Sequence, residues 1–358
     1  MKKIFFYIIL FCLLTACNSI QKKHAASDGH FEKIEWSKRF GLYNNSEGTR
    51  LFHLNGRDTF WAPFNADKKP KRIAVLSTVF AGFLELLNAH DCIVAVEKAE
   101  YYSDPVIRRR IQNDSIIVCG EEGQIQLEKL LSAKPDIVVA GSAEFLSGAV
   151  GVKLKTAGIN VLYCDNFLEQ HPLARAEWIR YFGVLAGKQQ KADSLFESVK
   201  NNYLSIASQN DSTPYKPLVM TDALFGDSWF VPGGETYTSQ LIADAGGRYV
   251  FSDKKPLHTY PLSLEEVLTR AGKADVWIHT NQYVSLKNME TADRRYKLFK
   301  PFTTGNVFNY NKRENPEGGN DFWETGVGRP DIILSDLHII FSADTSRYRS
   351  MHYYRQLR

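Results

Sequence analysis

The 358-residue chain lacks several features that would place it quickly. It carries no excess of charge: 44 Lys and Arg stand against 40 Asp and Glu, a net of +4. The basic residues are scattered, not massed, which argues against a nucleic-acid partner. Its five cysteines form no CxxC pair and no Cys/His cluster with zinc spacing, so neither a disulfide framework nor a metal site is expected. There is no GxxxxGK[ST] phosphate loop and no HExxH, and Gly141-Ser142 lacks the second glycine of a nucleophile elbow. These absences weigh against an enzyme, an α/β hydrolase included, and no cofactor is expected. No apolar run approaches the ~20 residues that a spanning helix needs.

The N-terminus has a targeting segment. Lys2 and Lys3 precede an apolar stretch, Ile4 to Leu14, too short to cross a bilayer and suited to a secretory signal. Leu14-Thr15-Ala16-Cys17 resembles the lipobox of bacterial lipoproteins. That resemblance implies cleavage after residue 16, a diacylglycerol thioether on Cys17, and a polar tether over 17–30. The expectation is a lipid-anchored protein in the periplasm of a Gram-negative-type envelope, held at a membrane without spanning it. With Cys12 removed and Cys17 acylated, Cys92, Cys119 and Cys164 remain. Each adjoins an apolar run and reads as a buried free thiol.

Residues 31–65 alternate like short strands or a hairpin. From Arg72 a strand–helix rhythm begins, with strands at RIAVLS, CIVAV, SIIV, DIVVA and VLYC. A long helical stretch follows, about His171 to Gln209, in which Gly183 and Gly187 mark a bend; as one rod it would exceed ~50 Å. The rhythm restarts after Pro217. The two halves echo each other: Leu127-Glu128-Lys129-Leu130-Leu131 and Leu264-Glu265-Glu266-Val267-Leu268 each lead to a strand. The expected fold class is α/β, with two Rossmann-like lobes of mostly parallel sheet joined by a long connecting helix and a ligand cleft between them. The expected boundaries are an N-terminal lobe at 31–166, a connector at 167–211 and a C-terminal lobe at 212–358.

IQLEKLLSAKPDIVVAGS, LAGKQQKADSLFE, WFVPGGETYTSQLIADAGG, SLEEVLTRAGKADVWI and FWETGVGRPDIILSDL, in this order and spacing, resemble the helical-backbone periplasmic binding proteins. That family serves ABC importers of cobalamin, ferric siderophores and haem, and the similarity runs from about Lys71 to Ile340. It implies a monomer that captures a metal-chelate nutrient and docks on a permease with its ATPase. Glu128 and Glu265 match the family's docking positions, with Glu266 competing on the second lobe. A carboxylate in the first turn of a helix is also favoured by the helix dipole alone. The alternatives are a haem binder and a scavenging lipoprotein that works without a permease.

Open α/β sheets bind ligands at the loops that follow their strands. This rule selects Tyr101, Tyr102, Glu121, Glu122, Phe225, Trp229 and Phe230, joined late in the chain by Trp323 and Arg329. Each aromatic among them could equally pack between lobe and helix. The resemblance to the family's cobalamin binders rests on Tyr101 or Tyr102 with Trp323, although Glu121-Glu122 departs from it. Arg329 and Arg248 would suit an anionic siderophore. The nine histidines form no spaced pair. Cobalamin is therefore placed first, ferric siderophore close behind and haem third.

Overall fold

The structure is a computed structural model and describes residues 29–55, 58–62, 69–121, 124–141, 148–210, 215–255 and 258–358. The signal segment, Cys17, Glu122 and the side chain of Glu121 lie outside the described residues.

The chain opens as an antiparallel meander of β1 (His30–Phe31), β2 (Phe40–Asn45), β3 (Gly48–Asn55) and β4 (Asp58–Trp61). Its alternation sends Phe40, Leu42 and Leu51 inward to burial, as a two-residue period requires. The N-terminal lobe is a five-stranded parallel sheet: β5 (Ile73–Val75), β6 (Ile93–Val96), β7 (Ile117–Val118), β10 (Ile137–Ala140) and β11 (Asn160–Tyr163), in the order β11-β10-β5-β6-β7. A short β8–β9 pair (Gly120–Glu121, Gln124–Ile125) sits beside it. Helices α1 (Thr78–Leu86), α2 (Pro105–Gln112), α3 (Leu127–Ser132) and α4 (Ala149–Thr156) connect the strands. β5, β6 and β10 are short and wholly apolar, as strands covered on both faces must be.

The helical stretch divides in two. α5 (Pro172–Ala186) ends at Gly187, whose φ of 68° is the left-handed conformation that terminates helices. α6 (Gln189–Asn210) then folds back along it. The rod of more than 50 Å expected from periodicity is replaced by an antiparallel hairpin, because a 3.6 period survives a reversal that one left-handed residue imposes. Arg180 bonds Asp193 at 2.8 Å across the hairpin, and the His171 ring lies 6.0 Å from that of Tyr203.

The C-terminal lobe contains β12 (Leu218–Thr221), β15 (Arg248–Tyr249), β17 (Val276–Ile278), β18 (Val307–Asn309) and β19 (Arg355–Gln356), in the order β15-β12-β17-β18-β19, with only β19 antiparallel. A small antiparallel sheet of β13 (Leu224–Phe225), β14 (Ser228–Pro232) and β16 (Thr259–Leu262) stands at its edge. The helices are α7 (Tyr237–Asp244), α8 (Leu264–Ala271), α9 (Leu286–Ala292), α10 (Lys300–Thr304), α11 (Asp321–Glu324) and α12 (Pro330–Phe341). The repeat heard in the sequence is visible in the strand order. β11-β10-β5-β6 and β18-β17-β12-β15 correspond strand for strand, with α3 leading into β10 and α8 into β17.

The meander is fastened to the hairpin. Glu177 of α5 is fully buried and accepts the backbone N–H groups of Glu35, Trp36 and Ser37, each at 2.8 Å. His53 meets Asp165 at 2.8 Å, and the Phe40 ring lies 4.9 Å from that of Trp178. The C-terminal tail, which the sequence left without a reading, is core: Tyr353 and Tyr354 are buried, and the Asp336 carboxylate accepts the N–H groups of residues 352–354. Cys92, Cys119 and Cys164 are free, and burial pushes the Cys119 thiol up to about 12. Among the described residues no helix is long and apolar enough to cross a membrane.

Candidate functional site

Between the lobes a cavity of about 350 Å³ opens at the C-terminal ends of β5 and β6. Leu76 to Thr78 form one wall, Glu97 and Tyr101 a second, and Asn320 and Trp323 of the C-terminal lobe a third. This is where a parallel sheet leaves backbone groups and helix N-termini free for a ligand. Tyr101 and Trp323 are 222 positions apart (323 − 101) and keep 45% and 42% of their surface exposed in this space, whose walls mix these rings with polar side chains. Trp323 is held edge-on by Tyr310, at 5.5 Å between ring centroids, and by Phe322 at 4.8 Å. Lys98 donates to the Tyr101 hydroxyl at 3.1 Å.

The third wall is stitched to the N-terminal lobe. The Glu324 carboxylate accepts the N–H groups of Ser103 (2.7 Å) and Asp104 (3.2 Å), and also the Ser103 hydroxyl. Asn315 donates to the Tyr102 carbonyl at 2.8 Å, and Arg108 pairs with Glu317 at 2.9 Å. Gly82 of α1 lets the Glu324 carbonyl approach so closely that a Cβ would overlap it. Carboxyls crowd behind this clasp. Burial, then Ser103 and the neighbouring Asp321 and Asp104, set the Glu324 carboxyl at about 7, up from 4.5. Burial, with Asp104, Glu324 and Asp321 adding to it, lifts Glu85 to about 9.

The C-terminal lobe has a second cavity, about 560 Å³, at the ends of β12 and β17. Phe225 at the β13–β14 turn and Gln282 line it, together with Glu265, Asp293 and Arg295. Three residues at these strand ends, Asp222, His279 and Asn281, hold positive φ (64°, 59° and 53°), a conformation usually found where surroundings over-determine the backbone. Burial raises the Asp222 carboxyl to about 7 and lowers the His279 imidazole to about 3.

The residues selected from sequence divide accordingly. Tyr101, Tyr102 and Trp323 come together at the first cavity, although Tyr102 is buried and offers its flank only. Phe225 lies at the second, 74% exposed. Phe230 is exposed on β14, at neither cavity. Trp229 is fully buried: its ring stacks 5.4 Å from that of Trp277 and its indole donates to the Thr221 carbonyl at 2.9 Å. Strand alternation turns Trp229 to the core and Phe230 to solvent, so of the two roles open to Trp229 the packing one holds and it is not a cleft residue. Arg329 also lies elsewhere, in a groove beside α6, in a bidentate pair with Asp331 at 3.0 Å for both bonds. Arg248 bonds the Lys216 carbonyl, away from both cavities. The sequence reading missed Leu76 to Thr78, Glu97 and Asn320. The first four follow β5 and β6 directly, and the strand-end rule applied to the residues next to each strand would have reached them.

Glu128 and Glu265 occupy equivalent first-turn positions of α3 and α8, both exposed. Glu266 is consumed by a capping box: it accepts from the Ser263 N–H at 2.9 Å while Ser263 accepts from its own N–H. Glu265 is the freer of the two, with a single loose contact to Arg295 at 3.5 Å.

Residues 73–300 match a family described as periplasmic binding protein. An uncharacterized lipoprotein of Methanocaldococcus jannaschii is 22% identical over 294 residues, 79% of this chain and 68% of its own length. An uncharacterized ABC transporter substrate-binding lipoprotein of Bacillus subtilis is 28% identical over 159 residues, 44% of this chain and 48% of its own. Among solved structures, a periplasmic heme binding protein from Pseudomonas aeruginosa aligns with a TM-score of 0.59 at 15% identity, covering 81% of this chain and 98% of that one.

Proposed function

The chain belongs to the periplasmic binding protein family, and on that premise we propose that it is the lipid-anchored substrate-binding component of an ABC importer whose cargo is a metal tetrapyrrole, cobalamin before haem. The anchor at Cys17 is supported by the lipobox and by relatives described as lipoproteins, and it places the mature protein on the outer side of the membrane it was exported across. The importer reading is supported by the substrate-binding relative and by the paired exposed carboxylates, Glu128 and Glu265.

One observation carries the choice of cargo: Tyr101 and Trp323 face an interlobe cavity that, among the described residues, no arginine lines. Flat aromatic walls suit a broad, rigid, largely apolar ring system. An anionic ferric siderophore would call for guanidinium donors, and the arginines selected for that role are engaged elsewhere. Binding and release involve no bond chemistry on the cargo.

The test is a titration of the purified protein with cyanocobalamin and, separately, with hemin, followed by calorimetry and tryptophan emission. Saturable one-to-one binding of either supports the reading. Trp323→Ala should then weaken it about tenfold, ~1.4 kcal/mol, the worth of one well-placed aromatic contact. Tyr101→Phe separates the two cargoes. It should abolish the charge-transfer absorption of a tyrosine-ligated ferric haem and leave cobalamin affinity nearly unchanged. Silence towards both compounds, with binding of a ferric siderophore, would overturn the choice of cargo.

A further inference from the structure

The N-terminal meander precedes the family match, which begins at residue 73, and its two faces have different chemistry. The inner face is locked to the body through Phe40, Leu51, His53 and the amides that Glu177 receives. The outer face carries a continuous array of rings. Phe31 lies 5.0 Å from Tyr43 and 5.7 Å from Phe52, and Trp61 lies 5.9 Å from Tyr43 and 5.0 Å from Phe52. The Arg50 guanidinium sits 4.6 Å above the Trp61 ring. Register puts all five on one side: Phe31 opposes Tyr43, Tyr43 opposes Arg50, and Phe52 opposes Trp61. Gly41, opposite Phe52, leaves room for that ring to lie across its strand, where any Cβ would collide with it. The outermost rings face water, Phe31 at 64% and Trp61 at 41% exposure.

We propose that this outer face rests on the lipid bilayer, with its rings at the boundary between headgroups and acyl chains. The proposal depends on the reading of Cys17 as the acylated residue. Three observations support this occupant. Trp and Tyr with an adjoining arginine is the chemistry of a membrane interface, where one end of the side chain is apolar and the other wet. Location agrees: the face begins at Phe31, and the thirteen residues from Cys17 to Gly29 reach at most ~45 Å, so an anchored chain keeps the face beside the lipid. Rigidity agrees as well. An acyl chain alone fixes distance and leaves the body free to tumble, whereas a sheet fastened to α5 through a buried carboxylate transmits its orientation to both lobes.

The experiment uses the full chain, acylated in cells, purified and reconstituted into phosphatidylethanolamine–phosphatidylglycerol vesicles with either ordinary or brominated acyl chains. Brominated lipid should quench part of the tryptophan emission of the wild type, and that part should be missing in Trp61→Phe. Phe31→Ser, at a largely exposed position, should reduce the quenching with no more than a small drop in thermal midpoint from its lost contacts with Tyr43 and Phe52. Hydroxyl-radical labelling of Phe31 and Trp61 should fall on vesicles relative to the protein in detergent-free solution. Mass spectrometry of the wild type and vesicle flotation of Cys17→Ser report on the anchor separately. An acylated, vesicle-bound wild type with the same quenching as Trp61→Phe overturns the proposal and leaves the anchor standing. A chain with no acyl group on Cys17 overturns both. Crosslinks that seat a second copy or the permease on Phe31 and Trp61 overturn the membrane as occupant.

Discussion

Glu177 is a carboxylate in the middle of an otherwise apolar helix face, with no exposed surface. Such a group persists only when its oxygens are fully engaged, and here three backbone amides and Arg180, at 3.4 Å, engage them. Glu177→Ala would strand those amides and is expected to cost about 3 kcal/mol, measurable as a lower urea midpoint; Glu177→Gln, which still accepts, should cost less. Glu324 predicts a pH dependence. Its carboxyl stands at about 7 in the folded chain against an ordinary 4.5, so between these values the native state holds a proton that the unfolded chain has released. Its contribution to stability is therefore full below pH 4.5 and is lost as pH rises through 7, by at most about 3 kcal/mol. Glu324→Gln should remove that share of the slope in denaturant titrations run across pH and leave the share of Glu85 and Asp222, whose carboxyls burial also raises. Neither residue was legible in the sequence, because the backbone amides they accept lie 140 or more positions away. Tyr101 and Trp323 were legible: one follows a strand end, the other sits in a motif whose place in the chain is telling. Trp229 and Phe230 show the limit of that rule, since adjacent residues on a strand point oppositely and only the register says which faces the core.

Elements were recovered where apolar period and length agreed, as in β5, β6, β10 and β11, and in α3 and α8, which lead into β10 and β17. The small β13–β14–β16 sheet and β19 were not. Their strands run two to five residues, and Pro232, Pro261 and Arg355 interrupt any alternation. The hairpin of α5 and α6 depends on Gly187, whose sequence signal marks a bend without its angle. At Gly82 two effects oppose each other. Alanine in place of glycine within a helix normally gains up to ~1 kcal/mol. Here a Cβ meets the backbone of Glu324, and overpacking of this kind costs roughly 1–3 kcal/mol. Gly82→Ala should therefore destabilise, with α1 and α11 losing amide-exchange protection together, whereas a gain in stability would mean that the two elements separate freely.

Across the whole molecule, the paired lobes present Glu128 and Glu265 from equivalent helices, and the clasp at 315–324 joins the lobes at a second place besides the hairpin. Charge removal at both positions, Glu128→Ala with Glu265→Ala, should leave cargo affinity unchanged and slow transport in reconstituted vesicles at least tenfold, ~1.4 kcal/mol of lost docking. Unchanged transport would instead favour a scavenger that works alone. The strand Arg355–Gln356 closes the outer edge of the C-terminal sheet, and Leu357 behind it is buried. That strand follows every other strand of the sheet in the chain, so during synthesis the edge stays open until residues 355–356 have been made. If the proposed signal segment threads the chain through a translocation channel, that order keeps the sheet edge unpaired until residues 355–356 have crossed.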